Sequence, residues 1–456
     1  MAAAAATLIG FRPLASRTEQ LNRLIWFRND LRLHDNETLH AALKDKTASV
    51  DFIFVYDKAF DRLTPEGAPR VGAFRKKYLA ESVIELREKL RALGADLLCV
   101  TGDPVKIVPA ICRQRDIHEL YYSHLSTFNE RQQERLIERD VKSFGVHCFP
   151  FQTHTLISPN DFTQVDFSRP MSFSKFRGFV EKSWSVRARV AAVQYVGARR
   201  ERASLNEIAF WEPETYLKVG ATGHGFQAEG GETKSLARVE EYFWHGDHLR
   251  HYKETRNGLI AINDSSKFSP ALALGCVSAR HLYAEVRRYE RERVSNSSTL
   301  WFLYELLWRD HFHFAAERRG RHLFTDQPDP ATATASPKWQ RENFEKWRRG
   351  QTEVDFINAA MNELYLTGWM SNRMRQNTAS YLVHDLGVEW QAGARWFETC
   401  LIDYDAASNW GNWTYIAGAG AESQPHIFNV HQQAKTYDAD SAYVDLWLNE
   451  VFEKPD

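Results

Sequence analysis

The sequence predicts an N-terminal α/β domain joined by a long linker to a C-terminal all-α domain. From Arg23, short apolar segments alternate with amphipathic stretches, which is the pattern of a parallel sheet covered by helices. Residues 156–235 show little periodicity and contain several Gly and Pro, as connectors do. Beyond them the chain is mostly helical in pattern to its end. We therefore expect domains at 23–155 and 236–456.

The first domain is predicted to contain five strands and three helices. The strands are expected at 24–27, 50–55, 96–100, 120–122 and 146–149, and the helices near 71–93, 104–115 and 129–144. Asp103 and Pro104 mark a helix start, because a capping carboxylate accepts backbone N–H bonds and proline fits the first turn. The sheet carries no G-x-G-x-x-G or P-loop motif, so it gives no sign of the nucleotide sites that those motifs form.

Composition narrows the function classes. The 456 residues are 43% hydrophobic and 26% charged, as in ordinary soluble proteins, and no apolar run approaches the ~20 residues that span a bilayer. The formal net charge of -1 gives no global attraction to nucleic acid, so binding to phosphates would require a local basic patch. Five scattered cysteines without C-x-x-C spacing favour a reducing compartment and argue against a structural metal site.

The first 22 residues are left out of the predicted fold. They begin with an alanine run, include Arg12 and Arg17, and contain one acidic residue, Glu19. This composition is compatible with an organelle transit peptide, and a disordered start is the alternative. The chain is expected in the cytoplasm if it is bacterial, and in a chloroplast or mitochondrion if this segment directs import.

Two stretches near the C-terminus combine aromatic residues with polar groups that are costly to bury. The stretch 367–380 contains no proline and predicts a helix. One face of that helix would carry Asn372, Arg375, Gln376 and Ala379. The stretch 401–415 adds carboxylates and amides among aromatics. Either an ion pair of Arg375 with Asp403 or a polar ligand, or both, must satisfy these groups. A salt-bridge network that only orients two helices is the alternative to a ligand site.

Two further motifs suggest binding surfaces. The segment 265–270 places three serine hydroxyls and a lysine just before a predicted helix start, which suits a phosphate but is also a common capping segment. Glu305, Trp308 and Arg309 share a helix face with Phe312, and such a face can line a pocket for a stacked base. A surface ion pair is the alternative interpretation of that face.

These motifs, in this order, resemble the flavin-binding core of photolyases and cryptochromes, especially the DASH type of cryptochrome. The matching segments are 26–36, 367–373, 375–377 and 403–413. The resemblance implies a Rossmann-like antenna domain, a linker and a helical FAD-binding domain. It also implies FAD as the cofactor and methenyltetrahydrofolate as the antenna. Glu130 is near the expected pterin-contacting carboxylate, although residues 127–129 depart from the family pattern, as do residues 353–356, Trp369 and Met374.

The resemblance assigns roles residue by residue. FAD contacts are implied for Tyr252, Ser265, Ser266, Lys267, Phe268, Ser269, Arg309, Trp369, Asn372, Arg375, Asp403, Asp405 and Asn409. The pocket for the lesion is implied for Glu305, Trp308, Gln376 and Tyr415. An electron relay to the surface is implied for Trp413, Trp390 and Trp339, which would otherwise be read as core tryptophans. Asn409 is expected against the reactive ring nitrogen, and Asp403 and Asp405 against the ring edge and the ribose side.

The implied activity is light-driven splitting of cyclobutane pyrimidine dimers by an electron from excited reduced FAD. Gln376 and Tyr415 replace a Met and a Trp of double-strand photolyases, as in the DASH type, which prefers single-stranded DNA. Asn409 stands where plant signalling cryptochromes carry Asp, which favours fully reduced flavin. The partner is thus expected to be dimer-containing single-stranded DNA, bound by a monomer without a metal. The alternative is a blue-light receptor or nucleic-acid-binding regulator with little repair activity.

Overall fold

An α/β domain and a helical domain make up the structure, which is a computed structural model. It describes residues 21–162, 165–196, 205–219, 225–326, 337–419 and 424–449. The segment predicted as a leading extension lies outside the described residues up to position 20. Its last residue, Asn22, already belongs to the first strand.

A six-stranded sheet forms the first domain. Its strands are β1 Asn22–Phe27, β2 Ser49–Asp57, β3 Leu97–Gly102, β4 Glu119–Ser123, β5 His147–Phe151 and β6 Ala209–Phe210. The order is β5-β4-β1-β2-β3-β6, with β6 antiparallel and the other strands parallel. The central strands are buried on both faces, which explains why they appear as continuous apolar runs in the sequence. The five predicted strands are confirmed, whereas the two-residue β6 was not predicted.

Helices cover the sheet and build the second domain. Those that pack on the sheet are α1 Glu37–Ala42, α2 Ala73–Ala92, α3 Pro104–Gln114 and α4 Phe128–Lys142. The others are α5 Phe173–Glu181, α6 Glu232–Val239, α7 Tyr252–Thr255, α8 Ser269–Leu274, α9 Ala279–Glu292, α10 Ser297–Arg319, α11 His322–Thr325, α12 Pro337–Arg348, α13 Asp355–Thr367, α14 Asn372–Ser380, α15 Trp390–Cys400, α16 Ala406–Ala417, α17 Val430–Tyr437 and α18 Ala442–Leu448. The predicted cap of α3 is present, since the Asp103 carboxylate accepts the Val105 N–H at 3.0 Å.

The predicted single helix over 367–380 is wrong at its start. Helix α13 ends at Thr367, and Gly368 follows with φ +68°, a left-handed conformation that favours glycine. A Cβ at Gly368 would lie 2.9 Å from that of Phe74 and 2.8 Å from a methyl of Ile402. The Ser371 hydroxyl then caps α14 by accepting the Met374 N–H. Tertiary packing therefore breaks a stretch whose composition is helical.

The two domains share a buried interface that positions the site. One apolar cluster runs from the sheet residues Ile25 and Phe52 to Leu282 and Leu303 of the helical domain. The domains are also joined by a fully buried ion pair of Asp35 with Arg280, whose atoms are 2.7 Å apart. Helix α10 crosses the middle of this assembly and packs against α5, α7 and α16. Its side chains therefore face both the linker and the C-terminal helices.

Candidate functional site

A cavity of about 390 Å³ opens where α8, α10, α14 and the start of α16 meet. Twelve of the residues predicted to contact the cofactor line it: Tyr252, Ser265, Ser266, Lys267, Phe268, Ser269, Arg309, Trp369, Asn372, Arg375, Asp403 and Asp405. The four residues predicted for the second ligand line the same cavity: Glu305, Trp308, Gln376 and Tyr415. The structure thus brings together residues that are up to 163 positions apart, from Tyr252 to Tyr415.

The floor of this cavity is a buried carboxylate with one unsatisfied oxygen. Asp403 Oδ2 accepts from Arg375 Nη2 at 2.8 Å and from the Ser269 hydroxyl at 2.6 Å. Among the described residues, Asp403 Oδ1 is buried without a hydrogen-bond partner. Because an unpaired buried oxygen is costly, this atom is suited to accept an N–H of a bound molecule. Both the ion pair and the ligand that the sequence offered as alternatives therefore fit the geometry.

A smaller cavity of about 90 Å³ adjoins the first behind α14. The predicted helix face of α14 lines it completely, through Asn372, Arg375, Gln376 and Ala379. On the other side lie Asn409 and Trp413 of α16. The Asn409 side-chain amide donates to the Ala394 carbonyl at 3.0 Å, which fixes the orientation of the amide group.

The segment before α8 is shaped for an anion. Lys267 has a left-handed backbone, with φ +60°, and its Nζ lies 5.1 Å from the centre of the Trp369 ring. Burial lowers the pKa of Lys267 to about 8, against the opposing effect of nearby carboxylates. An ammonium group that is costly to charge when the cavity is empty gains most from a bound anion. The hydroxyls of Ser265 and Ser266 in the same segment add hydrogen-bond donors, whereas that of Ser269 donates to Asp403.

Glu305 is held by two residues that the sequence analysis missed. Its carboxylate forms an ion pair with Arg256 and accepts the Trp301 Nε1–H at 3.1 Å. Trp301 is one helical turn before Glu305, so helical spacing could have suggested this contact. Arg256 comes from α7's C-terminal end, and no local signal in the sequence links it to Glu305.

Aromatic rings form the outer wall of the cavity. Trp308 stacks on Phe173 of α5, with ring centres 3.7 Å apart and planes 11° apart. Tyr415 stacks in the same way on His426, at 3.7 Å and 24°. The Trp308 and Tyr415 rings meet edge to face at 6.3 Å. The second ring behind Trp308 and behind Tyr415 holds each of these side chains in place, so that its other face can stack on a base.

The three tryptophans of the predicted relay lie at different depths. Trp413 is buried at the wall of the smaller cavity, and Trp390 is buried against Trp410 at 5.6 Å. Trp339 lies on α12 and is 54% exposed. Trp390 and Trp339 do not line either cavity. The three therefore span the range from cavity wall to surface.

A third cavity, of about 200 Å³, lies between the two domains. Its wall includes Glu130, which accepts from the Thr127 hydroxyl, and Arg28 of the sheet's carboxyl edge. His313 of α10 and Asp405 also line it. Since Asp405 lines all three cavities, it is the structural link between the interdomain space and the cofactor cavity.

Comparison with known proteins identifies this arrangement. The family model described as DNA photolyase matches residues 23–194, and the one described as FAD binding domain of DNA photolyase matches residues 302–456. A protein of Synechocystis sp. named Cryptochrome DASH is 42% identical over 438 residues, which cover 95% of this chain and 88% of the relative. The chain belongs to the photolyase/cryptochrome family. A relative from Arabidopsis thaliana, named Cryptochrome DASH, chloroplastic/mitochondrial, is 36% identical over 95% of this chain and 76% of its own length.

The fold of this photolyase/cryptochrome agrees with solved structures. The crystal structure of a Synechocystis sp. cryptochrome superposes with a TM-score of 0.86 at 40% identity, covering 95% of this chain and 90% of that chain. FAD is the cofactor of the chain's helical domain. The segment around Lys267 is compatible with binding of the FAD pyrophosphate, and the unpaired Asp403 Oδ1 with an N–H of the flavin ring. Within the described ranges, no helix is long and apolar enough to cross a membrane.

Proposed function

We propose that this protein splits cyclobutane pyrimidine dimers, mainly in single-stranded DNA, using light. The observation that carries the proposal is one continuous cavity, lined both by the residues proposed to contact FAD and by the aromatic wall around Glu305. Bound reduced FAD supplies the electron after excitation, so the protein chiefly has to position two partners. A dimer in a single strand is the cheapest to bring into such a cavity, because no base pairs need to be broken.

The two sets of residues have separate tasks. On the cofactor side, Lys267 and the serines hold the pyrophosphate, and Arg375 and Asp403 hold the ring edge. On the substrate side, Trp308 and Tyr415 stack on the lesion, while Glu305 accepts a hydrogen bond from it. Gln376 adds an amide to the shared wall, and this polarity suits bases that are not shielded in a duplex. Trp413, Trp390 and Trp339 are proposed to carry electrons from the surface to the cofactor.

The test is illumination of the purified, reduced protein with dimer-containing oligonucleotides. Recovery of thymine absorbance that is much faster on single strands than on duplexes supports the proposal. Equal recovery on both would assign an ordinary photolyase activity instead. Absence of recovery on both, with FAD bound, would contradict repair.

A second candidate function is a blue-light receptor that binds nucleic acid without repairing it. One contact favours it, because Glu305 already pairs with Arg256 and Trp301 and would have to share its carboxylate with a dimer. A receptor of this kind is expected to bind damaged and undamaged single strands equally. Binding that prefers the damaged strand tenfold or more would exclude it.

Methenyltetrahydrofolate is the proposed antenna, in the cavity between the domains. Glu130 and the neighbouring polar groups of that cavity are the proposed contacts for the pterin. The relatives' designation as chloroplastic/mitochondrial proteins supports organelle import as a further proposal, although residues 1–20 lie outside the described structure. We also propose that the chain acts as a monomer, with domains at 23–155 and 236–456.

FAD binding is expected to weaken as the pH rises above 8. The pKa of Lys267 is lowered to about 8 by burial in the empty cavity, and a pyrophosphate beside it would raise that pKa. Below pH 8 Lys267 is charged both in the FAD-free and in the FAD-bound protein, so the affinity for FAD does not change with pH. Above pH 8, Lys267 must take up a proton when FAD binds. The affinity for FAD therefore falls by up to tenfold per pH unit, which corresponds to about 1.4 kcal/mol.

Fluorescence titration of FAD into the apoprotein between pH 6.5 and 9.5 measures this dependence. Lys267→Arg is the matched control, since a guanidinium stays charged throughout and should give a flat profile. A wild-type profile as flat as that of the arginine variant would show that Lys267 does not contact the pyrophosphate.

A further inference from the structure

A chain of buried polar side chains joins the interdomain cavity to the cofactor cavity. The Ser126 hydroxyl lies 3.2 Å from His154 Nε2 and 2.7 Å from His313 Nδ1. On the far side of the same ring, His313 Nε2 lies 3.3 Å from Asp405 Oδ2. The four groups come from separate parts of the fold: the β4–α4 loop, the segment after β5, α10 and the N-cap of α16. They form a single path across the domain boundary.

This series of polar side chains does more than fill space, because some of its nitrogen atoms can still form further hydrogen bonds. Ser126, His154 and His313 are all buried. Within the described part of the protein, His154 Nδ1 has no hydrogen-bond partner, and His313 Nε2 has only its 3.3 Å contact with Asp405 Oδ2. Ser126 and His313 also line the interdomain cavity, so solvent in that cavity can reach the middle of the chain. Histidines beside a cavity that solvent can enter are able to exchange protons.

The charges around His313 set its resting state. Burial lowers the pKa of His313, and Arg309 acts in the same direction, whereas Asp405 and Glu130 raise it. Burial also lowers the pKa of His154, and a charged His313, with its ring centre at 4.5 Å, would lower it further. The two rings therefore disfavour being charged at the same time. Burial therefore favours the neutral form of His313, against the opposing effect of the two carboxylates.

Asp405 is the ionised end of the chain. Burial alone would raise the pKa of Asp405, but hydrogen bonds from His313 and the Ser408 side chain, together with the charge of Arg309, hold that pKa well below its usual range, and a charged His313 lowers it further. Its Oδ1 is the N-cap acceptor of the Ser408 N–H at 2.8 Å, which leaves Oδ2 facing His313. A neutral His313 that donates from Nε2 to this oxygen must accept from Ser126 at Nδ1.

We propose that His313 is the proton-accepting group of the cofactor cavity, taking up one proton through Ser126 when the charge in that cavity becomes more negative. In the antenna-free protein, Ser126 passes its hydroxyl proton to His313 Nδ1 and is reprotonated by water that enters the interdomain cavity, with bulk buffer as the final source. The hydroxyl then turns to donate to His154 Nε2. The result is an ion pair of His313 with Asp405. The proposal rests on the proposed position of the flavin ring beside Asp405.

Proton uptake on reduction of the FAD-loaded protein tests this proposal. A pH-indicator dye in weakly buffered solution at pH 7, without DNA, reports the number of protons bound per flavin reduced. His313→Gln is expected to take up close to one proton fewer than the wild type. His311→Gln is the matched control: His311 is half-buried on the same helix α10, with a pKa lowered to about 4 by desolvation, but lies against Phe173 and Phe176. Although His311 is half-buried rather than buried, its ring contacts neither Ser126 nor Asp405 within the described residues, so the variant should retain the wild-type count.

A second variant covers the case in which His313→Gln fails to fold or to hold FAD. Ser126→Ala removes one hydroxyl and should slow proton uptake at least tenfold without slowing reduction. Equal counts in the wild type and His313→Gln, or unchanged uptake kinetics in Ser126→Ala, would overturn the proposal. The proton-uptake assay contains no DNA and so does not depend on dimer splitting. If proton uptake is as expected here but the illumination assay shows no dimer splitting, the proposed function is overturned and the role of His313 is not.

Discussion

Glu305→Ala is expected to reduce light-driven dimer splitting by roughly 10- to 100-fold while leaving FAD absorbance unchanged. The size follows from losing one hydrogen bond to a charged acceptor, about 1.5–3 kcal/mol. FAD should be retained, since the residues proposed to hold it lie on the other side of the cavity. The fold should also survive, because the Arg256–Glu305 pair is partly exposed, and such pairs contribute about 1 kcal/mol or less.

The matched control for this substitution is Trp301→Phe. It removes the indole N–H that donates to Glu305 but keeps the carboxylate and its pair with Arg256. Repair by this variant should remain within about threefold of the wild type. Undiminished repair by Glu305→Ala would show that the acid does not contact the dimer. The two measurements are the repair rate under constant illumination and the flavin absorbance spectrum of the same sample. Together they show whether a variant has lost repair while it keeps FAD.

The sheet and its helices were predictable because their signals are local. Buried parallel strands are continuous apolar runs, and Asp103 with Pro104 fixes the start of α3. The break at Gly368 was not predictable, since it depends on close approach of Phe74 and Ile402 from distant parts of the chain. The strand β6 was missed because two residues carry no periodicity.

The cavity was predictable where a single element supplies the pattern. Helical spacing correctly grouped Asn372, Arg375 and Gln376 on one face, and the Arg375–Asp403 pair followed from the cost of leaving either charge alone. Contacts between elements left no such trace. Arg256 reaches Glu305 across 49 positions, and Ser126 reaches His313 across 187. Spacing within one segment says nothing about pairs of that kind.

The Arg375–Asp403 pair is expected to contribute the largest single stabilisation in the cavity. The Asp403 side chain is 1% exposed, so Arg375→Ala would leave a buried charge with Ser269 as its remaining hydrogen-bond partner. Breaking a buried pair in this way costs about 3–5 kcal/mol. Urea denaturation followed by tryptophan fluorescence should show a loss of this size in the free energy of unfolding. We also expect that Arg375→Ala has lost its FAD when it is purified.

A double variant separates the lost ion pair from the loss of the arginine side chain itself. Arg375→Ala combined with Asp403→Asn removes the orphaned charge, while the amide oxygen can still accept from Ser269. If the cost of Arg375→Ala is mainly electrostatic, the double variant should recover at least half of the lost free energy of unfolding. If the double variant is as unstable as Arg375→Ala, the arginine stabilises α14 by packing and by its 2.8 Å bond to the Met370 carbonyl. Asp403 would then be free to bind the cofactor without its arginine partner.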